Sequence, residues 1–221
     1  MDLYDVMRTT FSAREFLDEP VSDETLERIF ENARFAPSGG NRQGWRVIVV
    51  RDQATKDAIS DLNVPAGKRY AAQVKAGENP LNTVDPSAVD AAAVEATNVP
   101  SQLIEPARKA PVLLVVTVDL GVVASSDAEL DRVGVISGAS IYPFAWNLLL
   151  AARNEGLGGT ITTLAVAQEP KVQELLGIPS RYAVAAVIPL GKPVRQLTKL
   201  RRKAVPEFVT RERFDGEPFG G

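Results

Sequence analysis

Along the chain, apolar positions fall into helical and strand-like blocks separated by turn-formers. Residues 3–8 form a short amphipathic pattern that stops at Thr9 and Thr10. Past the loop through Pro20, Ser22 is a suitable N-cap. Asp23 and Glu24 place negative charge in the first turn, where the helix dipole favours it. Leu26, Ile29, Phe30 and Ala33 recur at helical spacing, which predicts one buried face. Pro37 ends this helix, and Ser38-Gly39-Gly40-Asn41 is a loop. Trp45–Val50 predicts a strand, and its unbroken run Val47-Ile48-Val49-Val50 predicts cover on both faces. A further helix is expected over 54–62.

From Pro65 to Lys109 the pattern weakens. Residues 70–75 and the alanine-rich 87–95 are expected to be helical, while 77–86 carries the turn-formers Gly77, Asn79, Pro80, Asn82, Asp85 and Pro86. The segment 63–110 is therefore expected as a helical and loop insertion over one face, a natural place for substrate selection. Residues 112–118 predict the second core strand. A long helix is expected over 133–154, with Ile141, Phe144, Ala145, Leu148, Leu149 and Ala152 as a broad apolar stripe and Gly156 as its stop. Pro143 either bends it or sets a different boundary. Pro170 opens a short helix ending at Gly177 and Pro179, and 182–188 predict a third strand.

The chain, 1–221, thus reads as a single α+β domain of three layers, a central sheet with helices on both faces. Its tail, 192–221, is a mixed-charge arm carrying Val205, Phe208 and Phe214. Those apolar residues are covered either by the chain's own domain or by a partner subunit, for which a C2 dimer is the simplest closed arrangement.

Composition narrows the chemistry. A chain of 221 residues buries roughly 70% of the surface its unfolded form exposes, so a core forms without staples. With 25 basic and 28 acidic side chains the net charge is -3, which is no balance for binding a polyanion. The absence of cysteine excludes disulfides, thiolate metal sites and cysteine nucleophiles. The absence of histidine excludes histidine-based zinc sites and Ser-His-Asp triads. An enzyme of this composition points towards an organic cofactor. No charged and then apolar leader opens MDLYDVMRTT, and no apolar run approaches the roughly 20 residues of a membrane span, so a cytoplasmic protein is expected.

Two short regions concentrate candidate chemistry. In Arg8-Thr9-Thr10-Phe11-Ser12-Ala13-Arg14, hydroxyls and guanidiniums are interleaved, a donor set suited to a terminal phosphate. In Pro37-Ser38-Gly39-Gly40-Asn41-Arg42-Gln43, glycines permit close backbone approach while Ser38, Asn41 and Gln43 offer donors and acceptors. Gly156-Leu157-Gly158-Gly159-Thr160 is a third glycine-rich turn, without the spacing of a dinucleotide-binding loop. Arg201-Arg202-Lys203 forms a basic cluster, and Asp119 is read as a strand-end cap.

Together these segments resemble the FMN-dependent nitroreductase family over essentially the whole chain. Phe11-Ser12-Ala13-Arg14 resembles its N-terminal motif, and Ala36-Pro37-Ser38-Gly39-Gly40-Asn41-Arg42-Gln43 its A-P-S-x-x-N-x-Q signature. Asn147-Leu148-Leu149-Leu150-Ala151-Ala152 with Gly156-Leu157-Gly158 resembles N-L-x-L-A-A…G-L-G, and Arg202-Lys203-Ala204-Val205 the closing R-K-P-L. Thr10 and Phe11 depart from the basic residues usual before the motif serine, and Gly44 and Trp146 replace a proline and a glutamine.

The resemblance implies a three-layer fold with a mainly antiparallel sheet and a homodimer with a swapped C-terminal arm and the flavin at its interface. It implies FMN as cofactor and NADH or NADPH as donor, with ping-pong transfer to nitroaromatic or quinone-like acceptors. The flavin carries the hydride, and no side chain is required as an acid or base. The phosphate falls to Ser12, Arg201 and Arg202, with Arg8 a further contributor. The pyrimidine edge falls to Arg14, and the ring to Pro37, Ser38, Gly39, Asn41 and Gln43. The vicinity of N5 falls to Gly158, Gly159 and Thr160. Tyr70 is expected on the acceptor side from its place in the insertion. Alternatives on the same scaffold are enone reduction, dehalogenation, and sequestration of FMN without turnover.

Overall fold

The computed structural model describes residues 1–220. In chain order its helices are α1 (Leu3–Thr9), α2 (Asp23–Ala33), α3 (Gln53–Leu62), α4 (Val64–Lys75), α5 (Ala91–Glu95), α6 (Glu105–Lys109), α7 (Tyr142–Asn154) and α8 (Glu169–Leu176). The strands β1 (Trp45–Val50), β2 (Val112–Asp119), β3 (Gly158–Gly159) and β4 (Tyr182–Gly191) form one sheet in the order β1-β2-β4-β3, every strand pair antiparallel.

The central strand β2 explains the layering. All eight of its residues are buried, because helices cover both faces. Val112, Leu114, Val116 and Val118 share a core with Leu26 and Ile29 of α2 and Phe144, Leu148 and Leu149 of α7. Leu113 and Val115 point the other way, into a core with Ile59 of α3, Ala107 of α6 and Val172 of α8. The register of β2 on β4 slips between Val116 and Thr117, a bulge at which the Thr117 hydroxyl donates to the Arg46 carbonyl at 3.1 Å. Trp45 stacks on Phe144 with centroids 4.7 Å apart, joining β1 to α7.

The local signals mostly act as read. The Ser22 hydroxyl caps α2 by accepting from the Thr25 N–H at 3.2 Å. Gly156, at φ +80°, ends α7 with the Leu157 N–H on the Ala152 carbonyl and the Gly156 N–H on that of Arg153. That pairing leaves two otherwise orphaned carbonyls satisfied.

Besides cover on both faces of β1, which fails because Val49 is 37% exposed on this edge strand, three expectations need correction. The long helix begins only at Tyr142, with Pro143 in its first turn, because residues 120–141 fold into an irregular loop around Asp127. The Asp127 carboxylate accepts from the Val135 N–H at 2.7 Å, the Ile136 N–H at 3.3 Å and Arg132 at 2.8 Å. These bonds, led by that from Val135, hold its pKa down at about 2. Secondly, the alanine-rich helix covers only Ala91–Glu95, capped by Asp90. Thirdly, Gly158–Gly159 is a strand on the edge of β4, where a turn was expected.

The tail divides in two. Residues 192–197 are tied to the body: the Leu17 N–H donates to the Lys192 carbonyl, the Val194 N–H to that of Glu15, and the Gln196 amide to that of Thr9. From residue 198 onward, every hydrogen bond among the described residues stays inside the segment, as in the Phe219 N–H to the Val209 carbonyl. Phe208 and Phe214 are exposed there, at 64% and 101%.

Candidate functional site

The N-terminal motif and the glycine pair meet at one wall. Ser12 bridges Gly159 in parallel fashion, and the Ala13 N–H donates to the Gly159 carbonyl at 3.0 Å. The contact is close because neither glycine has room for a side chain. A Cβ on Gly158 would lie 2.9 Å from that of Ala13, and one on Gly159 2.7 Å from the Pro189 carbonyl oxygen.

Arg14 emerges from this wall into a two-part cleft. An outer cavity of about 800 Å³ and an inner one of about 220 Å³ share Arg14, Tyr70, Gln102 and Leu103 as lining. The Arg14 guanidinium makes one protein hydrogen bond among the described residues, a 3.3 Å contact to the Ser12 carbonyl, so most of its donors face the cleft unclaimed. Thr160 lines the inner part, and Tyr70 of α4 lines both. The structure thus gathers Ser12, Arg14, Tyr70, Gly158, Gly159 and Thr160.

The remaining candidates lie elsewhere on the chain. None of Pro37, Ser38, Gly39, Asn41 and Gln43 lines either part of the cleft. Their loop packs beside the start of α7, with the Gly39 N–H on the Ser140 hydroxyl at 3.1 Å. It closes on itself: the Ser38 hydroxyl accepts from the Gln43 N–H at 2.9 Å, and the Gln43 amide donates to Asn41 at 3.2 Å. Asn41 and Gln43 both have positive φ, 53° and 49°. Asparagine tolerates the left-handed region through its short amide, whereas at Gln43 this conformation costs about 1–2 kcal/mol.

Arg8 stacks on Tyr4 of α1 at 5.7 Å. Arg201 and Arg202 lie on the outlying arm, where the Arg202 guanidinium donates to the Arg201 carbonyl. Asp119 is a strand-end cap, accepting from the Gly121 N–H at 2.8 Å and Arg181 at 3.0 Å. The Arg181 hydrogen bond is the main reason its carboxyl titrates below the usual range.

Several cleft residues escaped the sequence reading. Thr162 and Thr163 continue the polar wall begun by Thr160, and the threonines directly after the glycine pair were the available signal. Lys75 and Arg195 add positive charge to the outer cavity, far apart in sequence and so invisible as a cluster. Asn63 lines the inner cavity from the junction of α3 and α4. Among the described residues no helix is long and apolar enough to cross a membrane, and no cluster of acidic side chains is arranged to hold a metal ion.

Residues 7–192 match the profile of the Nitroreductase family, so the chain belongs to that family. Iodotyrosine deiodinase 1 of Mus musculus is 27% identical over 221 aligned positions, covering 94% of this chain and 68% of that protein. An NADH dehydrogenase of Thermus thermophilus is 30% identical over 185 positions, covering 84% of this chain and 83% of its own length. Among solved structures, oxidised iodotyrosine deiodinase bound to FMN and 3-iodo-L-tyrosine shares the fold, with a TM-score of 0.67 at 24% identity. That match covers 96% of this chain and 99% of the other.

Proposed function

We propose that this chain is an FMN-dependent oxidoreductase that takes electrons from NADH or NADPH and delivers them to nitroaromatic or quinone-like acceptors. The observation that carries this reading is the junction of Ser12–Arg14 with Gly158–Thr160 at the wall of the cleft. It sets an unclaimed guanidinium beside threonine hydroxyls and an aromatic ring, in a member of the Nitroreductase family. This donor set fits a flat, anionic mononucleotide: charged and hydroxyl donors line one side, while Tyr70, Leu103 and Ile161 supply apolar wall. When bound, FMN supplies two-electron transfer between a donor and an acceptor that use the cleft in turn.

The chain's own residues bind and orient. Arg14 keeps a permanent positive charge at the cleft wall, which favours any ligand gaining negative charge on reduction. Tyr70 and Leu103 exclude water and offer flat apolar surface to an aromatic acceptor. Ser12, Arg8, Arg201 and Arg202 are assigned to the phosphate, and Gly158, Gly159 and Thr160 to the ring near N5.

Pro37, Ser38, Gly39, Asn41 and Gln43 are assigned to the flavin of a partner subunit, in a homodimer closed by exchange of the arm. The separation of this strained loop from the chain's own cleft supports that assignment. So do the exposed Phe208 and Phe214, and the exposed Val135, Tyr142 and Trp146 on and before α7.

A reductive dehalogenase acting on halogenated phenols is the second reading, favoured by the 27% identity to the mouse deiodinase. The test is anaerobic mixing of the purified, reduced protein with nitro, quinone, enone and iodophenol acceptors. Bleaching of a yellow protein by NADH or NADPH, followed by recolouring with nitro or quinone compounds, is expected. A yellow protein that does not bleach would instead make it a sequestering protein. Recolouring by iodophenol alone would select the second reading.

A further inference from the structure

The segments around Phe16 and Pro193 run antiparallel. The Leu17 N–H donates to the Lys192 carbonyl at 2.8 Å and the Val194 N–H to that of Glu15 at 3.0 Å, on either side of the Phe16–Pro193 bridge. One step further along this register Arg195 stands opposite Arg14, and both line the outer cavity. Like charges facing each other across paired segments are unfavourable, a cost that an anion between them removes. Among the described residues the Arg195 side chain makes no hydrogen bond or ion pair, and that of Arg14 only its 3.3 Å contact to the Ser12 carbonyl. Lys75, the last residue of α4, brings a third cation to the same cavity, and it too is exposed and unpaired among the described residues. Against these three stands one acidic lining residue, Glu15. The wall is therefore positive in a chain whose net charge is -3. A concave site lined by one sign of charge concentrates ligands of the other.

We propose that Lys75 and Arg195 form a substrate-binding site for an anionic group, a carboxylate or a phosphate, carried by a molecule that enters the cleft; this rests on the reading that electron donors and acceptors use the cleft in turn. Neither residue is among those assigned to the flavin, so their charge is available to a second ligand. A ring held against Tyr70 and Leu103 shares the cavity with both cations, and an acidic substituent on it supplies the charge that the wall lacks. A neutral nitroaromatic or quinone leaves the two cations unused. Two sources carry this chemistry: the 2′-phosphate that distinguishes NADPH from NADH, and an aromatic acceptor that bears a carboxylate.

The experiment uses the full-length, FMN-loaded protein. Binding of 4-nitrobenzoate and of the neutral 4-nitrobenzyl alcohol is measured by calorimetry for the wild type, Lys75→Gln, Arg195→Gln and Glu15→Gln. The wild type is expected to favour the anion by about tenfold at low salt, and by less as salt screens the charges. Lys75→Gln and Arg195→Gln should each lose most of that preference, and Lys75→Arg should keep it. Glu15→Gln should increase it, a reversal of sign that a merely structural role would not produce. The variants should melt with the wild type and retain FMN affinity, because these side chains make no hydrogen bond or ion pair among the described residues.

Two kinetic arms then assign the source. One compares NADPH with NADH in flavin reduction, and the other compares 4-nitrobenzoate with 4-nitrobenzyl alcohol in reoxidation. A loss of kcat/KM in the glutamine variants of Lys75 and Arg195 that is confined to the anionic member of one pair names that source. Equal binding of the two probes by the wild type, or a preference that survives both substitutions, overturns the proposal. So does a kinetic response to those substitutions in neither arm, and so does a loss of FMN affinity in both variants, which would give the cations to the cofactor. A protein that NADH and NADPH fail to bleach would refute the oxidoreductase reading separately, since the calorimetric preference needs no turnover.

Discussion

The backbone N–H of Ala13 donates to the Gly159 carbonyl at 3.0 Å, laying the segment that carries Arg14 along the edge of β3. The backbone from which Arg14 extends is therefore fixed by main-chain bonding.

Gly159→Ala is expected to disturb this junction by overpacking. Its Cβ would meet the Pro189 oxygen at 2.7 Å, the Leu149 side chain at 3.0 Å and that of Ile188 at 3.3 Å. A cost of about 1–3 kcal/mol follows, and more for valine. Thermal melts without added FMN separate this loss from any loss of cofactor. An unchanged melting temperature would mean that β3 can shift freely.

Arg14→Ala should weaken FMN binding without destabilising the chain, because its only protein hydrogen bond among the described residues is the long one to the Ser12 carbonyl. A lost charge-assisted bond corresponds to about 1.5–3 kcal/mol of binding. Fluorescence titration with FMN reads the effect directly.

Tyr70→Ala should lower kcat/KM by about tenfold for flat aromatic acceptors and less for small aliphatic ones. Flavin reduction by NAD(P)H should change little. Uniform losses across all acceptors would make the residue a wall of the fold alone.

The loop around Asp127 should open in acid. Its folded pKa of about 2 lies below the ordinary 3.8, so its stabilising contribution is complete above about pH 4 and disappears as the pH falls through 2. Asp127→Ala should produce the same opening at neutral pH. Hydrogen exchange at Val135 and Ile136, whose N–H groups it holds, is the measurement; protection there in the variant would show that the loop is held by other means.

A chain ended at Leu197 should keep its melting temperature as a monomer and lose the proposed dimer. The residues beyond make no hydrogen bond to the body among those described, whereas residues 192–197 do. Burying each of Phe208 and Phe214 on a partner would contribute about 2 kcal/mol. Sedimentation of the shortened chain as an intact dimer would remove the arm from the interface.

How far the sequence could be read follows from the range of the forces involved. The strands were legible because two covered faces require unbroken apolar runs, and 112–118 and 182–188 supply them. The start of α7 was not. Val133, Val135 and Ile136 continue a helical spacing, while the carboxylate that folds them into a loop lies outside that window. Gly158–Gly159 passed for a turn because glycines show no alternation, and the free edge of β4 that recruits them is a tertiary fact.

At the cleft wall, Ser12 and Arg14 stand out in the sequence by their hydroxyl and guanidinium chemistry, and Thr160 only through the family resemblance. Lys75, Arg195 and Asn63 do not stand out, since a scattered charge and a single asparagine carry meaning only once a cavity collects them.

The sheet order has a consequence for how the chain comes into being. β4 is the last strand to be synthesised, yet it lies inside the sheet between β2 and β3. Until residue 191 is available, β2 presents an unpaired edge that is apolar from Val112 to Val116, which is the kind of surface that recruits other chains. The nascent protein cannot complete its sheet strand by strand from one end, and closing such distant pairings is slow. Fragments ending within β4 should therefore aggregate, whereas loss of everything past Leu197 should be tolerated. Dependence on holdase chaperones should end abruptly between those two lengths.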